Sequence, residues 1–209
     1  AAEANHQLGL LTDEQHLAIC QACREILEGK HHEYFPVDMI QGGAGTTTNM
    51  NANEVIANRA LQIMGYPLGK YKYCSPNDHI NCSQSTNDAY PTAIHLGLYA
   101  THLEFMKHLE PLIKSFEAKA EEFAGILKMG RTQLEDAVPM TLGQTFGAFA
   151  SILRDEIKNL NFAAEEFLTV NMGATAIGTG ICSEPGYAEK CIKALRDITG
   201  WEIRLAENL

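Results

Sequence analysis

Positive charge is scarce in this chain. Its 16 Lys and Arg stand against 26 Asp and Glu, a formal net charge of −10. Nucleic acid and anionic membrane surfaces both call for clustered Lys and Arg, so neither is an expected partner. An anionic substrate would be repelled by the overall field and would have to be held by local donors. No apolar run approaches the ~18 residues that span a bilayer. Ala1 to Asn5 hold no basic cluster leading into an apolar stretch, so no secretory signal is visible. An initiator Met is missing too, and the chain is expected not to begin where its gene begins. Cys20 and Cys23 form one C-x-x-C pair inside a helical pattern, without a second pair at zinc-ribbon spacing. Reduced thiols of a cytoplasmic protein, serving helix packing, are the expectation. Nucleotide loops are not expected either. Gly42 to Asn51 has no Lys followed by Ser or Thr, and Gly173 to Gly180 lacks the G-x-G-x-x-G order. Taken singly, these glycines read as tight turning between helices.

What is present is mostly helical periodicity. Thr12 and Gln15 have capping-box spacing, and Leu17, Cys20, Ile26 and Leu27 give the helix they open an apolar face ending near Gly29. His31 and His32 follow in what reads as a solvated turn. Gln41 to Asn53 reads as a loop or the start of a helix, and Glu54 to Met64 as a helix stopped by Gly65 and Pro67. Tyr66 to Ser83 is irregular, with turn residues at Ser75 to Asp78. From about Pro91 to Gly125 the apolar residues recur at three-and-four spacing, with Pro111 expected to kink or break the helix. A similar pattern runs from Leu142 to Phe167 behind a capping box at Thr141 and Gln144, and a shorter one from Pro185 to Thr199, stopped by Gly200. A helix over Pro91 to Gly125 would be about 50 Å long, too long for a small isolated domain, which suggests a bundle that includes other chains.

Three polar segments punctuate these helices: GGAGTTTNMN at Gly42 to Asn51, CSQSTND at Cys82 to Asp88, and GRTQLEDAVP at Gly130 to Pro139. Hydroxyls and amides are neutral donors that can surround a carboxylate without an adjacent cation. Ser85, Thr86 and Asn87 stand just before a long helix, where backbone N–H groups and the helix dipole add to them. Such a cage suits a carboxylate that gains charge in a transition state. No side chain suited to serve as the base is expected among the three segments. His79 and His95 are the nearest titratable groups in sequence, and His95 is expected to pack.

These segments also carry a resemblance. GGAGTTTNMNANEVIANRALQIMG and SPNDHINCSQSTNDAYPTA are similar to the first two signature regions of the aspartase/fumarase superfamily. KMGRTQLEDAVPMTLGQ and NMGATAIGTGI match it too, in the same order, from about Phe35 onward. The wording looks like that of the aspartases. Fumarases typically have Thr-His where this chain has Thr132-Gln133. Loss of water needs a proton delivered to oxygen, whereas an ammonium leaves already protonated, so a neutral Gln suffices.

The resemblance implies a mainly α fold: a small amino-terminal helical and irregular domain over 1–84, then the first part of a central multi-subunit bundle over 85–209, the carboxy-terminal part being absent. It implies reversible anti-elimination of ammonia from L-aspartate to give fumarate, a carbon–nitrogen lyase reaction. Thr46, Ser85 and Thr86 would hold the β-carboxylate. Thr132 would touch the α-carboxylate, and Asn87 and Gln133 would face the amino group. The partners implied are a small dicarboxylate substrate and further copies of the chain, in a homotetramer with composite active sites. No cofactor and no metal ligand set is expected, with divalent-cation activation left open.

Two departures stand out. The third signature, with its Ser-Ser pair and its Lys and Asn, does not occur in these residues. It would supply the serine base, so the chain resembles a truncated piece expected to be inactive alone. Ser75 replaces the His of the fumarases' His-Pro-Asn-Asp, so their secondary anion site is not expected. A class II fumarase-type hydratase and a helical assembly module without activity of its own remain the alternatives.

Overall fold

The computed structural model describes residues 1–40 and 42–209; Gln41, at the start of the first polar segment, lies outside the described residues. The chain is mainly helical. In order it forms α1 (Ala2–Gln7), α2 (Asp13–Leu27), α3 (Thr46–Ile63), α4 (Thr86–Glu122), β1 (Leu127–Thr132), β2 (Glu135–Thr141), α5 (Leu142–Glu166), β3 (Thr169–Val170), α6 (Tyr187–Thr199) and β4 (Arg204–Leu205). Among the described residues, no helix is long and apolar enough to cross a membrane.

Two compact units result: Ala1–His95 with Leu168–Leu209, and Leu96–Phe167. This division differs from a split at 84/85. Residues 168–209, within which β4 pairs in parallel with β3, belong with the first unit because α6 packs on α1.

The first unit is organised around α2 and α3. Both bonds of the expected capping box form, the Thr12 hydroxyl accepting from Gln15 N and the Gln15 side chain accepting from Thr12 N. The buried face of α2 is nevertheless Ala18, Ile19 and Ala22, while Leu17 and Leu27 are 63% and 82% exposed. Small residues win that face because α3 brings Ala57, Ala60 and Leu61 into the same core. Cys20 and Cys23 lie within α2 as free thiols, Cys23 packed against this core. Burial pushes the thiols of Cys23 and Cys74 up to about 11. His31 and His32 are not simply solvated: the His31 ring meets Glu25 at 2.8 Å and His32 meets the Ile26 carbonyl at 2.9 Å. Arg59 reaches the same Glu25 carboxylate from α3 through Nε and a terminal nitrogen, at 2.6 and 3.0 Å. The Arg59 bonds first and His31 second hold the Glu25 carboxyl well below the usual carboxylate range. The irregular stretch contains one turn of π-helix, Pro76–Ile80, capped by the Ser75 hydroxyl on Asp78 N.

In the second unit, Leu109, Ile113 and Ala150 form a small core joined by Met106, Phe116 and Leu153. Pro111 neither breaks nor ends α4, which is helical throughout its 37 residues and about 55 Å long. One backbone bond is lost at a proline, yet Leu109 and Ile113 on either side are buried against α5 and hold the turn in place. The third polar segment forms an antiparallel hairpin of β1 and β2. Thr141 caps α5 through the expected box with Gln144. The last helix, α6, ends at Gly200 as expected.

Candidate functional site

Two helix starts carry the expected substrate residues of the first unit. Thr46 opens α3 behind Gly45, whose φ of 83° lies in the left-handed region. A Cβ on Gly45 would stand 2.2 Å from the Tyr90 ring, so glycine alone fits there. Thr86 opens α4, with Ser85 immediately before it. Each start therefore presents backbone N–H groups and the positive end of a helix dipole beside hydroxyl side chains.

A side-chain bond joins the two starts. Asn49, one turn into α3, donates from Nδ2 to the Thr86 hydroxyl at 3.1 Å and to Asn81 Oδ1 at 3.2 Å. Asn53, one turn further, donates to the same Asn81 oxygen at 3.0 Å. Thr86 is 9% exposed, whereas Thr46 and Asn87 are exposed.

The fourth motif closes over the second from behind. Asp88 is fully buried, and its carboxylate accepts three backbone N–H groups: Ser85 at 2.8 Å on one oxygen, Gly173 at 3.0 Å and Thr175 at 2.9 Å on the other. Gly173 has a φ of 100°, and a Cβ there would come within 2.6 Å of the Ala188 methyl. Pro91 has no N–H to give to the Asn87 carbonyl one turn back. Asn171 supplies the missing donor from Nδ2 at 3.2 Å. The Asn87 side chain donates to the Ala176 carbonyl at 2.7 Å, which leaves its own oxygen as the acceptor end of the amide. That end suits an ammonium group. Burial first, then Cys191, with Asp88 a lesser cause, pushes the Tyr187 phenol far above its usual range, so it stays neutral.

Thr132 and Gln133 belong to the other unit, at the tip of the β1–β2 hairpin, and both are exposed. Thr132 pairs with Glu135, so Gln133 and Leu134 form a two-residue loop. Both have positive φ, 50° and 67°, the signature of a type I′ turn. Neither is glycine, and left-handed backbone costs an L-residue about 1–2 kcal/mol.

The two histidines nearest in sequence are already engaged. His79 Nδ1 accepts from Ser75 N at 2.8 Å, and His95 Nδ1 meets the Thr169 carbonyl at 3.0 Å. A cavity of about 600 Å³ lies elsewhere in the first unit, lined by His31, Glu33, Tyr34, Asn51 and Arg59 among others, and none of the expected substrate residues reaches it. Among the described residues, no three His, Cys, Asp or Glu side chains stand together in a way that could hold a metal ion.

Sequence reasoning passed over Asn49, Asn81, Asp88 and Asn171. Asp88 left a signal, because Ser85 and Asp88 have capping-box spacing. The three asparagines left none, since the bonds that tie them to other segments span 28 to 84 residues.

Residues 1–209 match the protein family described as Lyase. The chain belongs to this family. It is 57% identical over its whole length to an aspartate ammonia-lyase of Pseudomonas aeruginosa, and 44% of that protein is covered. A crystal structure of a fumarate lyase:delta crystallin from Brucella melitensis bound to cobalt is 51% identical, with a TM-score of 0.93, over 100% of this chain and 45% of that one. A class II fumarase from Schistosoma mansoni is 33% identical, with a TM-score of 0.81, over 99% of this chain and 47% of the other. The chain thus spans about 44% of the length of the curated lyases it matches.

Proposed function

We propose that the whole protein catalyses reversible elimination of ammonia from L-aspartate, giving fumarate. The observation that carries this is the joined pair of helix starts, where Thr86 and Ser85 hydroxyls stand with backbone N–H groups and, among the described residues, no Lys or Arg bonds either hydroxyl. Such a surface offers neutral donors to a carboxylate, which the net charge of −10 would otherwise repel. A base removes the Cβ proton, the β-carboxylate takes up the electron pair as a dianion, and the C–N bond then breaks to release ammonia. Thr46, Ser85 and Thr86 hold the β-carboxylate, and their donors matter more as its charge doubles. Thr132 meets the α-carboxylate, and the oxygens of Asn87 and Gln133 accept from the ammonium. The 57% identity to an aspartate ammonia-lyase supports aspartate over malate, as does Gln133, which has no proton to give a leaving hydroxide.

The base is a serine outside these 209 residues, which contain no Ser-Ser pair. The chain alone is therefore expected to form no fumarate. The chemistry needs no cofactor, and a divalent cation acts as an activator if at all. The protein works in the cytoplasm as a homotetramer whose sites draw residues from several copies. Supporting that assembly, α4 and α5 leave Leu98, Phe105, Leu112, Phe149, Ile152 and Phe162 at least 44% exposed, an apolar surface that further copies would cover.

The test is turnover of the full-length protein on aspartate against malate, followed through fumarate absorbance. Preference for malate sinks the assignment. Thr86→Val in the same protein should lose about 100- to 1,000-fold in kcat. A loss within about threefold removes Thr86 from the cage.

A further inference from the structure

We propose that Asn49 is a positioning residue for the reaction, acting through Thr86 by fixing which way its hydroxyl hydrogen points. The inference rests on the substrate cage proposed above and deepens it. A threonine hydroxyl has one hydrogen to give and two lone pairs, and by itself it rotates to suit its surroundings. Thr86 is 9% exposed, so bulk water does little to decide its orientation. Asn49 Nδ2 occupies a lone pair at 3.1 Å. Among the described residues, the Thr86 hydroxyl has no protein acceptor for its own hydrogen. That is an unusual state for a nearly buried hydroxyl. Inside a helix such a group commonly turns back to a carbonyl one turn earlier. Here the carbonyl of Cys82, four residues before, already accepts from Asn5 at 2.8 Å and from Gln84 at 3.3 Å. The remaining hydrogen is therefore directed away from the protein, toward whatever anion rests on the start of α4.

Asn49 is itself held so that it must donate. Its second Nδ2 contact is Asn81 Oδ1, an acceptor that also takes a bond from Asn53, while Asn81 Nδ2 is committed to the Gln84 carbonyl at 3.3 Å. The chain of bonds has one sense: Asn81 accepts, Asn49 donates, and Thr86 accepts from Asn49 and donates outward. A donor aimed before the charge develops needs no reorganisation when it does, which is the condition for electrostatic stabilisation of a transition state. The bond also links two polar segments that lie 37 residues apart.

The test is a double-mutant cycle in the full-length protein, assayed on L-aspartate. Asn49→Ala, Thr86→Val and the double variant are compared with the parent. Asn49→Ala should lower kcat about 5- to 10-fold and leave KM within about twofold, the signature of an interaction felt in the transition state. In the Thr86→Val background the same change should cost less than about twofold, because the hydroxyl it aims is gone. A role in packing alone would cost the same factor in both backgrounds, and that result overturns the proposal. Should Asn49→Ala fail to fold, Asn49→Gln, which keeps an amide donor on a longer stem, goes through the same cycle with the same deciding comparison. The proposed function fails separately: if Thr86→Val alone leaves turnover within about threefold, the cage is wrong at Thr86 and this inference falls with it. If Thr86→Val costs its full factor while Asn49→Ala acts equally in both backgrounds, only the inference falls.

Discussion

Replacing Asp88 by Ala removes a fully buried carboxylate that three backbone N–H groups share. Hydrogen bonds to a charged group are each worth about 1.5–3 kcal/mol, so three at the lower figure give about 4–5 kcal/mol. Water entering the vacated space would recover part of this by satisfying some of the donors. A net local loss of about 3 kcal/mol is the working expectation. The loss should concentrate on the Ser85, Gly173 and Thr175 amides, because these are the donors left without the carboxylate. Native-state hydrogen exchange reads this directly. At about 3 kcal/mol, protection of those three amides should fall by a factor of about 100 or more where exchange follows local opening. Amides in the middle of α5, in the other unit, should hardly change. Asp88→Asn should fall between, since one amide oxygen can still accept but its NH2 group then faces a donor. Unchanged protection at Gly173 and Thr175 in Asp88→Ala would refute the clamp. So would a uniform fall across both units.

Other outcomes follow from the proposed function and from the packing of the first unit. Ser85→Ala and Thr132→Ala in the full-length protein should each be inactive alone. Activity should reappear when the two are unfolded together and refolded into mixed tetramers, and no recovery in mixed tetramers confirmed by mass would refute shared sites. The Glu25 carboxyl is held below its ordinary value of 4.5 by Arg59, so its contribution to stability is present above that value and lost as pH falls through the lower folded one. The gap in unfolding midpoint between the parent and Glu25→Gln should therefore be widest near pH 6 and shrink toward about pH 3, and a constant gap would remove Glu25 from the acid limb. In thiol labelling at mildly alkaline pH, exposed Cys182 should react well before Cys23 and Cys74, whose thiols burial pushes up to about 11; equal rates would contradict their packing.

Several elements were legible in the sequence because their causes are local. Thr12 with Gln15 and Thr141 with Gln144 cap their helices through bonds three residues long, and Gly200 ends α6 by its own backbone freedom. The long helices followed from apolar residues three and four apart, and the order of polar segments carried the family likeness. Local signals misled where packing outweighed them. Leu17 and Leu27 looked like a buried face, but α3 shares its core with α2 through Ala18 and Ile19; Pro111 looked like a break, but its neighbours are buried. Nothing in the third polar segment announced a hairpin, whose tip puts Gln133 and Leu134 in left-handed backbone.

The sequence by itself, through its family likeness, named the residues expected at the site, Thr46, Ser85, Thr86, Asn87, Thr132 and Gln133, because residue type is all that such an expectation needs. How the residues around the two helix starts bond to one another was decided only by tertiary structure. Thr86 becomes an acceptor from Asn49 across 37 residues, and Asp88 gathers Gly173 and Thr175 across 85 and 87. Hydrogen-bond direction is a property of a pair, and a pair so far apart along the chain exists only once the fold has brought its members together.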